Sequence, residues 1–437
     1  MIISIIKTLN PIFLIISPII FILLLSISIK YPQYVFSMSI PIYILFDLIK
    51  FEIPISISLL VSICIITSFL GSLLGGYKYY FGKFDFYIIV LFIIMIIAVT
   101  YSSSSSYGTI KVLLFGLTLF PLIIVFPKII RTKKDCIYLI KVIRISLFLY
   151  LIISIVFLFL KGFHGRFGSI HEPIFAGQIL GAGFINYLLM YFEKKKIIIL
   201  MISFLFLIMA FLTGTRAVFI AILVIIIINY LFIKELLFEK KINYKEIIFF
   251  VITLILVFLF SNNIYFFTSD EIFNSRIIKL IESESINDRL QLYKLAIESF
   301  INNPIKGIGT GGFKSVAISH IEWYRYKDIV EPNLFVYPHN VFLEILCELG
   351  IFGFIIFCVI LGITINNMIR MKKYYKLTGD KKIKKIISFS LVNFLYGFLV
   401  AQTSLDMSRL FFFWLGVAFV ESSKNLINKR RVKNVQS

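Results

Sequence analysis

The residues best placed to do chemistry are those of Tyr337-Pro338-His339-Asn340, where the longest polar stretch of the chain meets an apolar run from Val341 to Asn366. Nine residues separate Asn340 from Gly350, and the pattern closes on Gly353 as His-Asn-x9-Gly-x-x-Gly. The dipole at a helix N-terminus disfavours an imidazolium, so His339 is expected to be neutral and basic near pH 7. A neutral imidazole beside a hydroxyl is a general base; the competing reading is a structural histidine at an interface. Asn340 adjoins it as a supporting polar group. Glu344 and Glu348 lie one helical turn apart, at a depth where charge is costly. They either serve the site, by orienting it or binding substrate hydroxyls, or hold helices together inside a bundle.

Cations recur at similar boundaries. In Thr213-Gly214-Thr215-Arg216 the spacing predicts Thr215 as N-cap of the apolar helix that follows, with Arg216 in its first turn. A cation there opposes the dipole and adds nothing to the helix, but it completes an anion site, with phosphate the natural guest. The alternative is an arginine reaching lipid headgroups. Arg289 repeats the arrangement behind Ser285-Ile286-Asn287-Asp288, a capping box with Asp in place of Glu. That helix is expected to run to about Asn302 and stop before Pro304, with Leu292, Ala296 and Ser299/Phe300 on one face. On a solvated face Arg289 would instead pair with Asp288 or Glu284. Arg166, in Gly165-Arg166-Phe167-Gly168, is a weaker signal of the same kind. The glycines of Gly307-Ile308-Gly309-Thr310-Gly311-Gly312 evoke a nucleotide loop, yet they follow a helix instead of opening one, so a tight turn is expected.

These residues need a scaffold, and composition dictates its class. The chain has 437 residues, 59% of them hydrophobic and 15% charged, with mean hydropathy +0.97. Soluble chains carry about 25% charged residues. Thirteen apolar runs, near 11–29, 34–50, 53–76, 84–101, 108–129, 137–160, 173–192, 197–213, 216–233, 246–262, 340–369, 384–404 and 407–423, predict an all-α, polytopic membrane helix bundle. The formal charge of +21 is unevenly spread. Residues 262–338 hold eight bases and nine acids, whereas Arg370–Lys385 holds eight bases and one acid. Basic loops alternating with neutral ones report orientation and contact with an anionic inner leaflet, not nucleic acid. Placing the basic loops in the cytoplasm turns Ser102–Gly108, Lys161–Glu172, Thr213–Arg216, 262–338 and Leu405–Arg409 outward. A cytoplasmic N-terminus then requires an even number of crossings, so about twelve are expected, with one of the first three runs stopping short. The expected organisation is an N-terminal bundle (1–261), one large extracytoplasmic loop with an amphipathic helix (262–338), and C-terminal helices with a basic tail (339–437). The four cysteines form no Cys-x-x-Cys pair, and no disulfide framework or zinc site is expected.

Taken together, the motifs resemble the O-antigen ligase and polymerase superfamily. His-Asn-x9-Gly-x-x-Gly entering a late helix is similar to its signature. Thr213 to Ile220 resembles the Ser-Arg-x-x-x-Leu segment, with Thr and Ile substituted. Asn287-Asp288-Arg289 through Pro304-x-x-Gly307-x-Gly309 resembles the loop running from an arginine to Pro-x-x-Gly-x-Gly, and Arg166 to Ala176 a weaker earlier loop. The resemblance covers residues 160 to 355. It implies a metal-independent, cofactor-free glycosyltransferase in the cytoplasmic membrane, with its site facing the periplasm or cell exterior. Its donor would be an undecaprenyl-diphosphate-linked oligosaccharide and its partners membrane lipids and other polysaccharide-assembly proteins. Carried over, Arg216 and Arg289 hold the diphosphate and His339 activates the acceptor hydroxyl. Polymerisation of O-antigen, capsule or exopolysaccharide repeat units is the favoured activity, transfer to lipid A core the second, and flipping of a lipid-linked sugar a more distant third.

Overall fold

The computed structural model describes residues 11–45, 54–161, 173–232, 284–321, 336–403 and 406–435, and among these every regular element is helical. In chain order they are α1 (Pro11–Lys30), α2 (Pro32–Leu45), α3 (Pro54–Leu74), α4 (Lys83–Val99), α5 (Ser105–Leu114) and α6 (Phe120–Ile129). A π-helical turn, Phe115–Leu119, joins α5 to α6. There follow α7 (Lys133–Lys161), α8 (Pro173–Lys194), α9 (Ile197–Leu212), α10 (Arg216–Phe232), α11 (Glu284–Asn302), α12 (Phe313–His320), α13 (Val341–Thr378) and α14 (Lys381–Val400). A 3-10 turn, Met407–Arg409, leads into α15 (Phe411–Val435).

Among the described residues, five helical stretches are long and apolar enough to cross a membrane: 105–129, 133–160, 173–194, 341–378 and 381–400. Shorter apolar helices cover 18–30, 59–74, 197–212 and 217–228. The expectation of about twelve crossings goes beyond these, and the run at 246–262 lies outside the described residues. Among the first three runs, α2 has 14 residues and an internal proline, Pro41.

One apolar core runs through the bundle from Phe36 of α2 to Leu426 of α15. Several buried polar groups within it are paired, which offsets the cost of burying them. Asn186 of α8 and Asn393 of α14 exchange amide hydrogen bonds of 3.0 and 3.3 Å. At the basic-loop end, ion pairs tie the helices: Glu193 of α8 meets Arg144 of α7 at 2.9 Å and Lys385 of α14 at 2.8 Å. Lys133 pairs with Asp380, and Lys128 with Asp85. The opposite end of the bundle carries the motifs.

Candidate functional site

The two halves of the longest motif are one interlocked structure. At Gly350 the backbone leaves the helix (φ 66°, ψ −165°), splitting α13 into an upper segment, 341–349, and a long lower one. The break frees carbonyls at Cys347 and Glu348 and the N–H of Ile351, which a continuous helix would have paired. The glycine-rich segment after α11 satisfies all three. Ile308 N–H donates to Cys347 (2.8 Å), Gly309 N–H to Glu348 (3.0 Å), and Ile351 N–H to the Pro304 carbonyl (2.8 Å). Thr310 extends the seam to α4, its N–H on the Ala98 carbonyl (3.2 Å) and its hydroxyl on that of Met95 (2.8 Å). The expected tight turn is thus a wedge between helices, and its N–H groups are engaged with protein carbonyls, not with a phosphate.

Gly350 occupies a region of backbone space essentially reserved for glycine. A Cβ there would lie 2.3 Å from the Ile305 carbonyl oxygen; one on Gly307 would lie 2.5 Å from that of Glu348. Gly350→Ala is expected to remove about 1–3 kcal/mol through strain alone. Gly362→Ala, on the same helix with nothing within 4 Å, serves as the control. Thermal unfolding in detergent separates them: a drop for position 350 and none for 362, where alanine is the better helix former.

With its C-terminal end pinned at Gly350, α11 runs back along the upper segment of α13. Leu292, Ala296 and Ser299 are buried as their spacing predicts, and Leu292 and Ala296 pack with Phe313, Ala317, Val336 and Cys347. The helix starts at Glu284, so Ser285 falls in its first turn and is not the cap. Arg289 accordingly stands in the second turn, not the first, and is exposed. This antiparallel pairing carries Arg289 up to the level of His339, close enough for its charge to act on the imidazole.

His339 sits in a clamped loop. Val336 accepts from the Tyr107 hydroxyl (3.4 Å), Val341 N–H donates to Ala401 (3.0 Å), and the Tyr337 ring lies 4.4 Å from the imidazole. Asn340 is the N-cap of α13; its side-chain oxygen accepts from the N–H groups of Phe342 (3.0 Å) and Leu343 (3.1 Å). Asn340 therefore supports the site by starting the helix. His339 precedes that cap with φ 55°, in the left-handed region. Its Nδ1 is buried without a hydrogen-bond partner. Burial, with the positive charge of Arg289 second, holds the imidazole down to about 4, so it is neutral as expected. Desolvation and the neighbouring guanidinium both act in the direction expected of the helix N-terminus.

Glu344 and Glu348 turn out to share a partner that escaped the motif reading. Lys111 of α5 reaches both, at 2.5 and 2.8 Å, and all three side chains are buried. Glu344 also accepts from the N–H of Met407 at 3.1 Å, linking α13 to the 3-10 turn. Asp406 caps that turn through the N–H of Ser408 (2.8 Å) and is buried, with Oδ2 unpartnered. The helix-joining reading of the two glutamates matches this geometry. Lys111, inside the apolar run 108–129, was the available signal, since an ionisable group there demands a partner.

The remaining arginines follow from their helices. Thr215 stands at the N-cap position of α10 as expected, and its hydroxyl accepts from Thr213 (2.9 Å) and donates to the Pro173 carbonyl (3.1 Å), tying the start of α10 to the start of α8. Tyr396, near the end of α14, donates to the Gln178 carbonyl of α8 (2.7 Å), and Ala401 beyond α14 holds Val341. The starts of α8, α10 and α13 therefore share one end of the bundle, and Arg216 opens α10 there. Arg166 lies outside the described residues.

The class defined by these observations is an integral membrane helix bundle in which His339 and the start of α11 lie near one end. Residues 201–358 match the O-antigen ligase family model (Wzy_C), which supports the resemblance of this stretch to the O-antigen ligase and polymerase superfamily. Arg216, Arg289 and His339 all fall within the matched stretch, and Arg166 precedes it. No curated protein matches the chain.

Proposed function

We propose that this protein is a glycosyltransferase of the cytoplasmic membrane. It moves a glycan from an undecaprenyl-diphosphate carrier to a sugar hydroxyl, polymerising surface-polysaccharide repeat units. The observation that carries the reading is a neutral His339, its Nδ1 buried without a hydrogen-bond partner, within reach of the Arg289 charge. In the reaction an imidazole nitrogen takes the proton of the acceptor hydroxyl as its oxygen attacks the anomeric carbon. The bond from that carbon to the diphosphate oxygen breaks, and the departing undecaprenyl diphosphate carries the electron pair. Arg289 and Arg216 stabilise its charge, as positioned cations do for developing anions. In the free protein the imidazole is a weak base. A diphosphate bound to Arg289 cancels the nearby positive charge and favours the protonated imidazole, so proton abstraction is strongest once the donor is loaded. The chain crosses the membrane about twelve times, with this end facing the periplasm or cell exterior.

The description of the matched family favours a second reading, ligation to lipid A core. Purified protein in liposomes with a synthetic undecaprenyl-diphosphate oligosaccharide distinguishes them. Release of carrier with lengthening glycan, unchanged by EDTA, is the expected result. Release only when core lipid is added indicates the ligase, and no release with either acceptor refutes glycosyl transfer.

A further inference from the structure

Helix α11 is apolar on two opposite faces. One packs on α13 through Leu292 and Ala296. The other presents Leu290, Ile297 and Ile301, which recur at seven and four residues and so share a face. These three are 57%, 45% and 65% exposed, and Ile305 just beyond the helix is 62% exposed. Single exposed apolar residues are ordinary; an aligned row with a defined continuation is not.

The continuation is given by the wedge. Pro304 accepts from Ile351, and the Ile305 carbonyl touches Gly350, so the row ends against the lower segment of α13. There the exposed residues are Ile351, Phe352 and Ile355, followed by Ile365 and Ile369, all on a membrane-crossing helix. An apolar surface thus runs from the lipid-facing side of α13, through Ile305, up α11 to Leu290. Lys294, four residues from Leu290 and seven from Ile301, shares this face and pairs with Glu298 at its edge; its long apolar stem lies along the row while the ammonium reaches headgroup level.

We infer that the outer face of α11 lies in the lipid of the leaflet on the His339 side, with acyl chains as its occupant, so that α11 is an interfacial helix and not part of a water-exposed loop. Helices of this kind bury one apolar face at the boundary of headgroups and chains. Arg289 adjoins Leu290, the last residue of the row, and so stands at headgroup depth. A diphosphate on a lipid carrier arrives at that same depth by lateral diffusion. This last consequence rests on the proposed function; the placement of α11 does not.

Spin labels at Leu290→Cys, Ile297→Cys and Ile301→Cys, in a Cys358→Ser background reconstituted into phosphatidylglycerol–phosphatidylethanolamine liposomes, test it. The expected result is collision with oxygen favoured over a water-soluble nickel chelate at all three positions, with the preference reversed at Gln291→Cys, which is exposed about a quarter-turn away from the row. Nickel accessibility at the three apolar positions overturns the inference. Protection from both reagents also overturns it, because the face is then covered by protein. Neither readout requires glycan transfer, so failure here is distinguishable from failure of the enzymatic reading. A second readout joins the two: Ile297→Asp is expected to raise KM for the lipid-linked donor several-fold with kcat retained, and an unchanged KM separates the helix placement from donor capture.

Discussion

His339→Asn is expected to reduce glycan transfer by about two to four orders of magnitude, the usual contribution of a positioned general base. That corresponds to about 3–5 kcal/mol in the barrier. Asparagine is the apt replacement because His339 has φ 55°, a conformation asparagine tolerates better than most residues. Loss of activity then reports lost chemistry, not a collapsed loop. The measurement is carrier release per reconstituted protein, with membrane insertion checked by extraction. Transfer within a few-fold of the parent would remove His339 from the mechanism.

The same residue carries a pH signature. Its folded value is about 4 against an ordinary 6.5. Between those limits the unfolded chain binds a proton that the folded chain refuses, so His339 makes stability fall as pH drops from 6.5 toward 4, with no further change below. The acid limb of kcat/KM, which reports the free enzyme, should lie near the folded value. Arg289→Ala removes one cause of the depression and leaves burial, so the limb should move upward toward 6.5 without reaching it. A limb that stays in place would mean that the two residues do not sense each other.

Lys111→Met is expected to have the other large effect, on stability. The substitution leaves Glu344 and Glu348 buried beside Asp406 with their shared cation gone. Removing one partner of a buried ion pair typically costs about 3–5 kcal/mol. The apt rescue is Lys111→Met combined with Glu344→Gln and Glu348→Gln, which removes all three charges and keeps side-chain length. If the cluster only joins α5, α13 and the 3-10 turn, the triple variant regains most thermal stability and transfers glycan. A triple variant that is stable yet inactive assigns the carboxylates to substrate instead. The comparison of melting with transfer separates the readings that local spacing left open for the two glutamates.

Helix membership was legible in the apolar runs, because lipid or protein on every side asks only for hydrophobic side chains and satisfied backbone groups. The starts at Arg216 and Val341 and the buried row Leu292, Ala296, Ser299 followed from the same local rules. The start of α11 falls at Glu284, two residues before the Ile286 that a cap at Ser285 would give.

By itself, the sequence determined the class of protein, the polar ends of its helices and the residues able to act there. Only the tertiary structure decided what those residues meet. Lys111 lies 233 positions from Glu344, and Ile308 lies 39 from Cys347, so neither pairing leaves a periodic trace. The break at Gly350 shows why: its freed backbone groups are completed by a distant wedge, and hydrogen bonds between separated segments depend on where the chain returns, which no local preference encodes.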